Sequence, residues 1–196
     1  GAGSVIHAMS DEQDMRKMGG TWRMIPFTYA LMWIGSLALA GIPPFAGFFS
    51  KDGILESAFA AGGGVGAYAY WLGAAAAMMT AFYSWRLLFM TFHGPQRADE
   101  KVMAHVHESP MVMLLPMTVL AAGAIAAGYF GVGLIAVDGH YWGDAIVMTE
   151  GHTALADAHH IPFWAKYLPL FLALVGIGIA YLFYVANPGL PGQLAA

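Results

Sequence analysis

Three ionisable side chains, Lys51, Asp52 and Glu56, stand in a stretch that is otherwise apolar, FAGFFSKDGILESAFA at 45–60. A charge held at the centre of a bilayer costs roughly 2.5–3.5 kcal/mol on insertion scales, so such groups persist where they work or where a partner compensates them. Asp52 and Glu56 are four apart and share a helix face. Lys51 is turned about 100° from Asp52 at 3.6 residues per turn, toward a neighbouring helix. An amine that gains and loses a proton beside two carboxylates has the chemistry of a proton carrier. The plainer alternative is a helix end, with Lys51 snorkelling to the interface and Glu56 solvated. His7 offers a second group of this kind, because an imidazole exchanges protons near neutral pH and suits a relay. Asp11, four residues on, is expected one turn along the same face. The alternative for His7 is an interfacial cap on a helix end.

The remaining polar residues ask for less. Arg86, in TAFYSWRLLF, does not release its proton and reads as a snorkelling or stacked anchor. Lys166, in the first turns of the last apolar segment, reads as another anchor, and Trp22, Trp71, Trp85 and Trp164 as an aromatic belt. The segment 137–160 carries His140, Asp144, Glu150, His152, Asp157, His159 and His160, without a fixed metal-ligand spacing. His105-Val106-His107 is no stronger. No glycine loop for phosphate, nucleophile motif or dinucleotide fingerprint appears. Neither a metal nor a cofactor is expected in this chain.

Of 196 residues, 59% are apolar and 10% charged, against roughly 45–50% and 25% in soluble domains. The expected fold class is all-α, a polytopic transmembrane helix bundle. The absence of cysteine excludes disulfides, thiolate zinc sites and iron–sulfur ligation. A net charge of −4 with eight Lys and Arg argues against a nucleic-acid partner. Apolar run lengths predict the tail of a membrane helix at 1–9, a connector at 10–23, an interrupted span at 24–61, spans at 65–93, 110–136 and 161–187, and a tail at 188–196. The start, Gly1-Ala2-Gly3 without an initiator Met or a basic region, reads as an internal piece of a longer protein.

The stretch 24–61 is too long for one crossing. A continuous helix there would reach about 55 Å, well beyond a hydrocarbon core of about 30 Å. Gly41-Ile42-Pro43-Pro44 must break it, since two prolines remove two donors and push the preceding residue out of helical space. The result is either one interrupted crossing or two full ones. One crossing gathers Arg16, Lys17, Arg23, Arg97 and Lys101 on one side and leaves the opposite connectors with none; two crossings split them three against two. The positive-inside rule favours the single interrupted crossing, with 10–23 and 94–109 facing the cytoplasm or matrix.

Two long ungapped strings, GAGSVIHAMSDEQDMRKMGG at 1–20 and GIPPFAGFFSKDGILESAFA at 41–60, closely resemble the largest antiporter-like membrane chain of respiratory complex I. That enzyme is the NADH–quinone oxidoreductase, and the chain is called L in bacteria and 5 in mitochondria. The resemblance continues through YSWRLLFMTFHG at 83–94 and weakens beyond 110. Mrp-type sodium/proton antiporters share the interrupted helix, but DEQDMRKMGG looks like the complex I chain. The resemblance implies that Lys51 is the lysine of the broken twelfth helix that passes protons toward the far side, with Asp52 the acid beside it. It implies that His7 links that lysine to the cytoplasmic side from the end of the eleventh helix. Ser10 and Asp11 stand where some relatives carry His.

The function so implied is that of a proton-translocating enzyme subunit, holding part of a half-channel and no redox centre. NADH and quinone would be bound by other subunits, and its partners would be other complex I membrane subunits and the lipid bilayer, in a bacterial inner membrane rather than a mitochondrial one. The alternatives are an Mrp-type cation/proton antiporter subunit and a purely structural membrane subunit in which Lys51 is an anchor.

Overall fold

The computed structural model describes residues 1–135 and 153–194. Those residues are helical, with no strand among them: α1 Ala2–Ala8, α2 Pro26–Ala40, α3 Ala46–Ala60, α4 Gly63–Phe92, α5 Glu100–His105, α6 Met111–Ile135, α7 Ala154–Asp157, α8 Phe163–Tyr181 and α9 Leu190–Leu194. Single 3-10 turns occupy Met15–Lys17 and Thr21–Arg23, and a π-helical turn at Leu182–Ala186 extends α8. Among the described residues, three helices are long and apolar enough to cross a membrane: Gly63–Phe92, Met111–Gly131 and Phe163–Ala186. At 15 residues each, α2 and α3 reach only about 22 Å apiece and neither spans alone. The chain is a helical membrane bundle with one discontinuous helix.

Local chemistry makes the break. Gly41 ends α2 in the left-handed region at φ 71°, its N–H donates to Ala38 O and that of Ile42 to Leu37 O, so the last carbonyls are partly satisfied by a Schellman-type closure. Pro43 and Pro44 supply no donors, and helical geometry resumes at Ala46. A Cβ at Gly47 would strike the Ala38 carbonyl oxygen, so the two half-helices approach closely there.

Both halves lean on α4, in sequence along its length. Near the start of α2, Tyr29 meets Phe92 at 5.0 Å between ring centroids, and Trp33 meets Trp85 at 4.4 Å. Near the end of α3, Phe59 meets Tyr70 at 5.1 Å. The half-helices therefore follow one another along an antiparallel α4 and do not fold back on each other as a hairpin. Helix α8 also runs antiparallel to α4: the Tyr70 hydroxyl donates to Ala165 O at 2.7 Å, and a Cβ on Gly176 would meet Met78 O. Ala81, Ala173 and Ala180, all fully buried, keep that seam tight, as small residues do where helices meet in lipid.

The connectors 10–23 and 94–99 interlock at the end where α2 begins and α4 finishes. Arg97 donates to Arg16 O at 2.9 Å, Met90 O at 2.6 Å and Met15 O at 3.3 Å, while the Thr21 hydroxyl donates to Thr91 O at 2.9 Å. A core of Val5, Met9, Met18, Ile25, Leu88 and Phe92 closes beneath them. Arg86 lies over the Tyr184 ring at 5.6 Å, a stacked placement.

One expectation fails here. Helix α1 stops at Ala8, and Ser10 and Asp11 both take positive φ, 54° and 66°. Asp11 N–H turns back to Ile6 O at 2.9 Å, so Asp11 is not one helical turn beyond His7. A short polar side chain tolerates the left-handed region, and helical spacing does not continue through it. His140, Asp144, Glu150 and His152 lie outside the described residues. Of the same segment, Asp157 accepts from the Thr153 hydroxyl at 2.6 Å. Among the described residues no group of three His, Cys, Asp or Glu could hold a metal ion.

Candidate functional site

The break leaves the carbonyl end of α2 inside the bundle. Carbonyls in a last helical turn lack intrahelical donors and carry the negative end of the helix dipole. Lys51, in the second turn of α3, reaches back and its Nζ donates to Ala40 O at 2.9 Å. The amine passes directly over Gly41, where a Cβ would collide with Nζ. Glycine is thus required twice at 41, for its φ and for its missing side chain.

Asp52 is 5% exposed, with Oδ1 3.9 Å from Lys51 Nζ, and neither carboxylate oxygen has a hydrogen-bond partner. Leaving a buried carboxylate without hydrogen bonds is costly. The nearby ammonium offsets part of that cost, and exchange of a proton removes the charge altogether. Glu56 is also buried on the same face, and its Oε1 lies 3.7 Å from Lys166 Nζ on α8. Lys166 is therefore no mere anchor: it is the counter-charge of Glu56. From the break toward the end of α3 the order is amine, acid, acid, amine. The separations of 3.9 and 3.7 Å exceed a direct hydrogen bond, so a proton crossing between these groups needs a side-chain rotation or one bridging water.

His7 is not part of this row. It is exposed and its ring sits edge-on to that of His107 at 5.8 Å, at the end where α2 begins. Lys51 makes its own contacts at the break. Beside α1 a largely apolar cavity of about 190 Å³, lined by Met15, Met18, Met32 and Leu87, also stops short of the lysine.

Sequence reasoning missed Glu108. Its carboxylate accepts from the N–H groups of Phe27 (2.8 Å) and Thr28 (3.3 Å) and from the Thr28 hydroxyl (2.5 Å), so it caps α2 from 80 residues away. Outside the spans, hydrogen bonds from Arg16 hold the Asp14 carboxyl at about 2. Burial at the end of α4 pushes His93 below the ordinary histidine value, and its Nε2 lies 2.9 Å from the Tyr29 hydroxyl.

A membrane helix broken at mid-length, with ionisable groups gathered at the exposed helix end, is the architecture of ion-translocating membrane proteins. Residues 1–80 match the family described as NADH:quinone oxidoreductase/Mrp antiporter, transmembrane. Over 185 residues, 93% of this chain and 28% of the relative, the sequence is 43% identical to NADH-ubiquinone oxidoreductase chain 5 of Phytophthora infestans. It is 42% identical over 190 residues, 95% of the chain and 28% of the relative, to the chain 5 of Marchantia polymorpha. It is 37% identical over 263 positions, 100% of the chain and 36% of the relative, to NADH-quinone oxidoreductase subunit L of Rhodobacter capsulatus. The similarity thus extends well past residue 110, and the chain spans about a third of the length of the curated relatives it matches.

Proposed function

We propose that this chain is part of a proton-translocating membrane subunit of NADH:quinone oxidoreductase, and that Lys51, Asp52, Glu56 and His7 move its protons. The observation that carries the reading is the Lys51 amine seated on the Ala40 carbonyl beside a buried carboxylate that has no hydrogen bond. A protonated Lys51 rests on the helix end. Giving its proton to Asp52 leaves two neutral groups, which suit an apolar span better than two charges do. Glu56 and the opposite face of the bundle are the onward direction, and His7 serves the end with the basic connectors. NADH, quinone and the redox centres belong to other subunits, which are the partners of this chain. The basic connectors face the cytoplasm, and the membrane is a bacterial inner membrane.

The test uses the full-length complex in vesicles. Lys51→Arg keeps the charge but not the exchangeable proton, because a guanidinium stays protonated. Pumping should fall, and NADH–quinone turnover with it. Wild-type pumping by Lys51→Arg would overturn the carrier role. The family description also covers Mrp antiporters, which supports a second reading. Purification of the full-length protein with NADH dehydrogenase activity supports the first, and cation/proton exchange without it supports the second.

A further inference from the structure

The segment joining α5 to α6 lies across the end of the bundle and touches both helices that matter there. The Ser109 hydroxyl donates to Ser4 O on α1 at 3.4 Å, and Glu108 caps α2 through Phe27 and Thr28. Between them His107 sets its ring against His7, centroids 5.8 Å apart and planes at 75°. His107 Nδ1 is 2.8 Å from the carbonyl oxygen of His105. A carbonyl only accepts, so Nδ1 carries the hydrogen and Nε2 of the neutral ring holds a free lone pair. His107 and His7 are both exposed, and the His107 ring lies edge-on to the histidine assigned to the relay.

Among the described residues, His7 on α1 faces the His107 ring, and His105 and Glu108 flank it on its own segment. Glu108 is engaged by the N–H groups of α2, and His105 Nδ1 donates to Lys101 O at 2.7 Å. Among the described residues neither His7 nor His107 is paired with a carboxylate.

Resting on the proton-translocating reading above, we propose that His107 collects protons from the aqueous phase and loads His7. Water or a buffer acid gives a proton to Nε2 of His107, forming one N–H bond and releasing the conjugate base. The imidazolium then gives up one N–H proton to a neutral nitrogen of His7, directly or through one water, and returns to its neutral form. The net change is one proton moved from bulk to His7.

The experiment uses the full-length complex in vesicles, comparing His107→Ala, His107→Gln and Lys51→Arg at equal assembled amounts. His107→Ala should pump about tenfold more slowly, a smaller loss than the roughly 100- to 10,000-fold supplied by a general acid–base group at a reacting centre, because the exposed His7 still takes protons from water. The deficit should deepen as pH rises and proton supply thins. Imidazole added on the side of the basic connectors should restore the rate in both His107 variants, whereas Gln alone should not. Wild-type pumping by His107→Ala across the pH range would overturn the proposal, as would a deficit that Gln repairs and imidazole does not. Lys51→Arg separates the two levels. If it pumps normally, the translocation reading itself fails; if it is impaired while His107→Ala is normal, only the collecting role fails.

Discussion

Lys51 Nζ and the Ala40 carbonyl oxygen, eleven residues apart, meet at 2.9 Å across a break in the helix. At the other end of the same half-helix the Glu108 carboxylate accepts from Phe27 and Thr28. Helix α2 is thus held at its N-terminus by an anion and at its C-terminus by a cation, each supplied from outside it and each matching the sign of the local dipole. Four expectations test what these contacts and their neighbours contribute.

Gly41→Ala should damage the site more than an ordinary glycine change. An L-residue in the left-handed region costs about 1–2 kcal/mol, and the new methyl would displace Lys51 Nζ. Gly53, in the body of α3 with nothing within 4 Å of a built Cβ, is the matched control, where Ala should gain about 0.5–1 kcal/mol. Thermal inactivation and pumping, measured on both variants, should move in opposite directions for stability, with pumping lost only at 41.

The Glu56–Lys166 pair should respond asymmetrically. Glu56 is buried, while the Lys166 side chain is 40% exposed. Lys166→Met strands a carboxylate in apolar surroundings, whereas Glu56→Gln leaves an amine that water can reach. Lys166→Met should lower the melting temperature more than Glu56→Gln, and the double variant should recover part of the loss. Equal single effects that add would show the two do not interact.

Removing the distant cap should loosen α2. Glu108→Ala should cost about 1–2 kcal/mol, the range for losing a helix N-cap, and Glu108→Gln less, since one acceptor oxygen remains. Thr28→Val should cost little once Glu108 is gone, because both changes delete the same hydrogen bond. Melting temperatures of the two singles and the double decide this.

Acid should weaken the same end of the bundle through His93. Burial holds this ring below the ordinary value of 6.5, so the folded state resists its protonation. The stability it contributes is present above 6.5 and is lost as pH falls from there toward the lower folded value. Thermal stability scanned from about pH 8 to about pH 5 should fall in that window and should fall less for His93→Gln.

Local chemistry is what a sequence displays best. The break at Gly41-Ile42-Pro43-Pro44 is legible because prolines act on their own backbone, and the shared face of Asp52 and Glu56 is legible because helical periodicity is local. The charge of the connectors favours a single interrupted crossing, an order compatible with α2 and α3 following one another along α4. Partners are another matter. Nothing near Lys166 in the chain points to Glu56, and nothing near Thr28 points to Glu108, because those pairings exist only once α8 and the α5–α6 segment have docked. Asp11 misled for the converse reason: helical spacing was assumed to run on where two residues of positive φ had already turned the chain.

The seat of Lys51 has a consequence for selectivity. Carbonyls at a broken helix end are ligands for sodium in secondary transporters built with discontinuous helices. Here a tethered ammonium already occupies the Ala40 oxygen, so an alkali cation must displace it to bind. While Lys51 is charged the break repels other cations and stays closed to them. On the proton-carrier reading, the Ala40 oxygen is free for a sodium ion only in the interval when Lys51 is neutral.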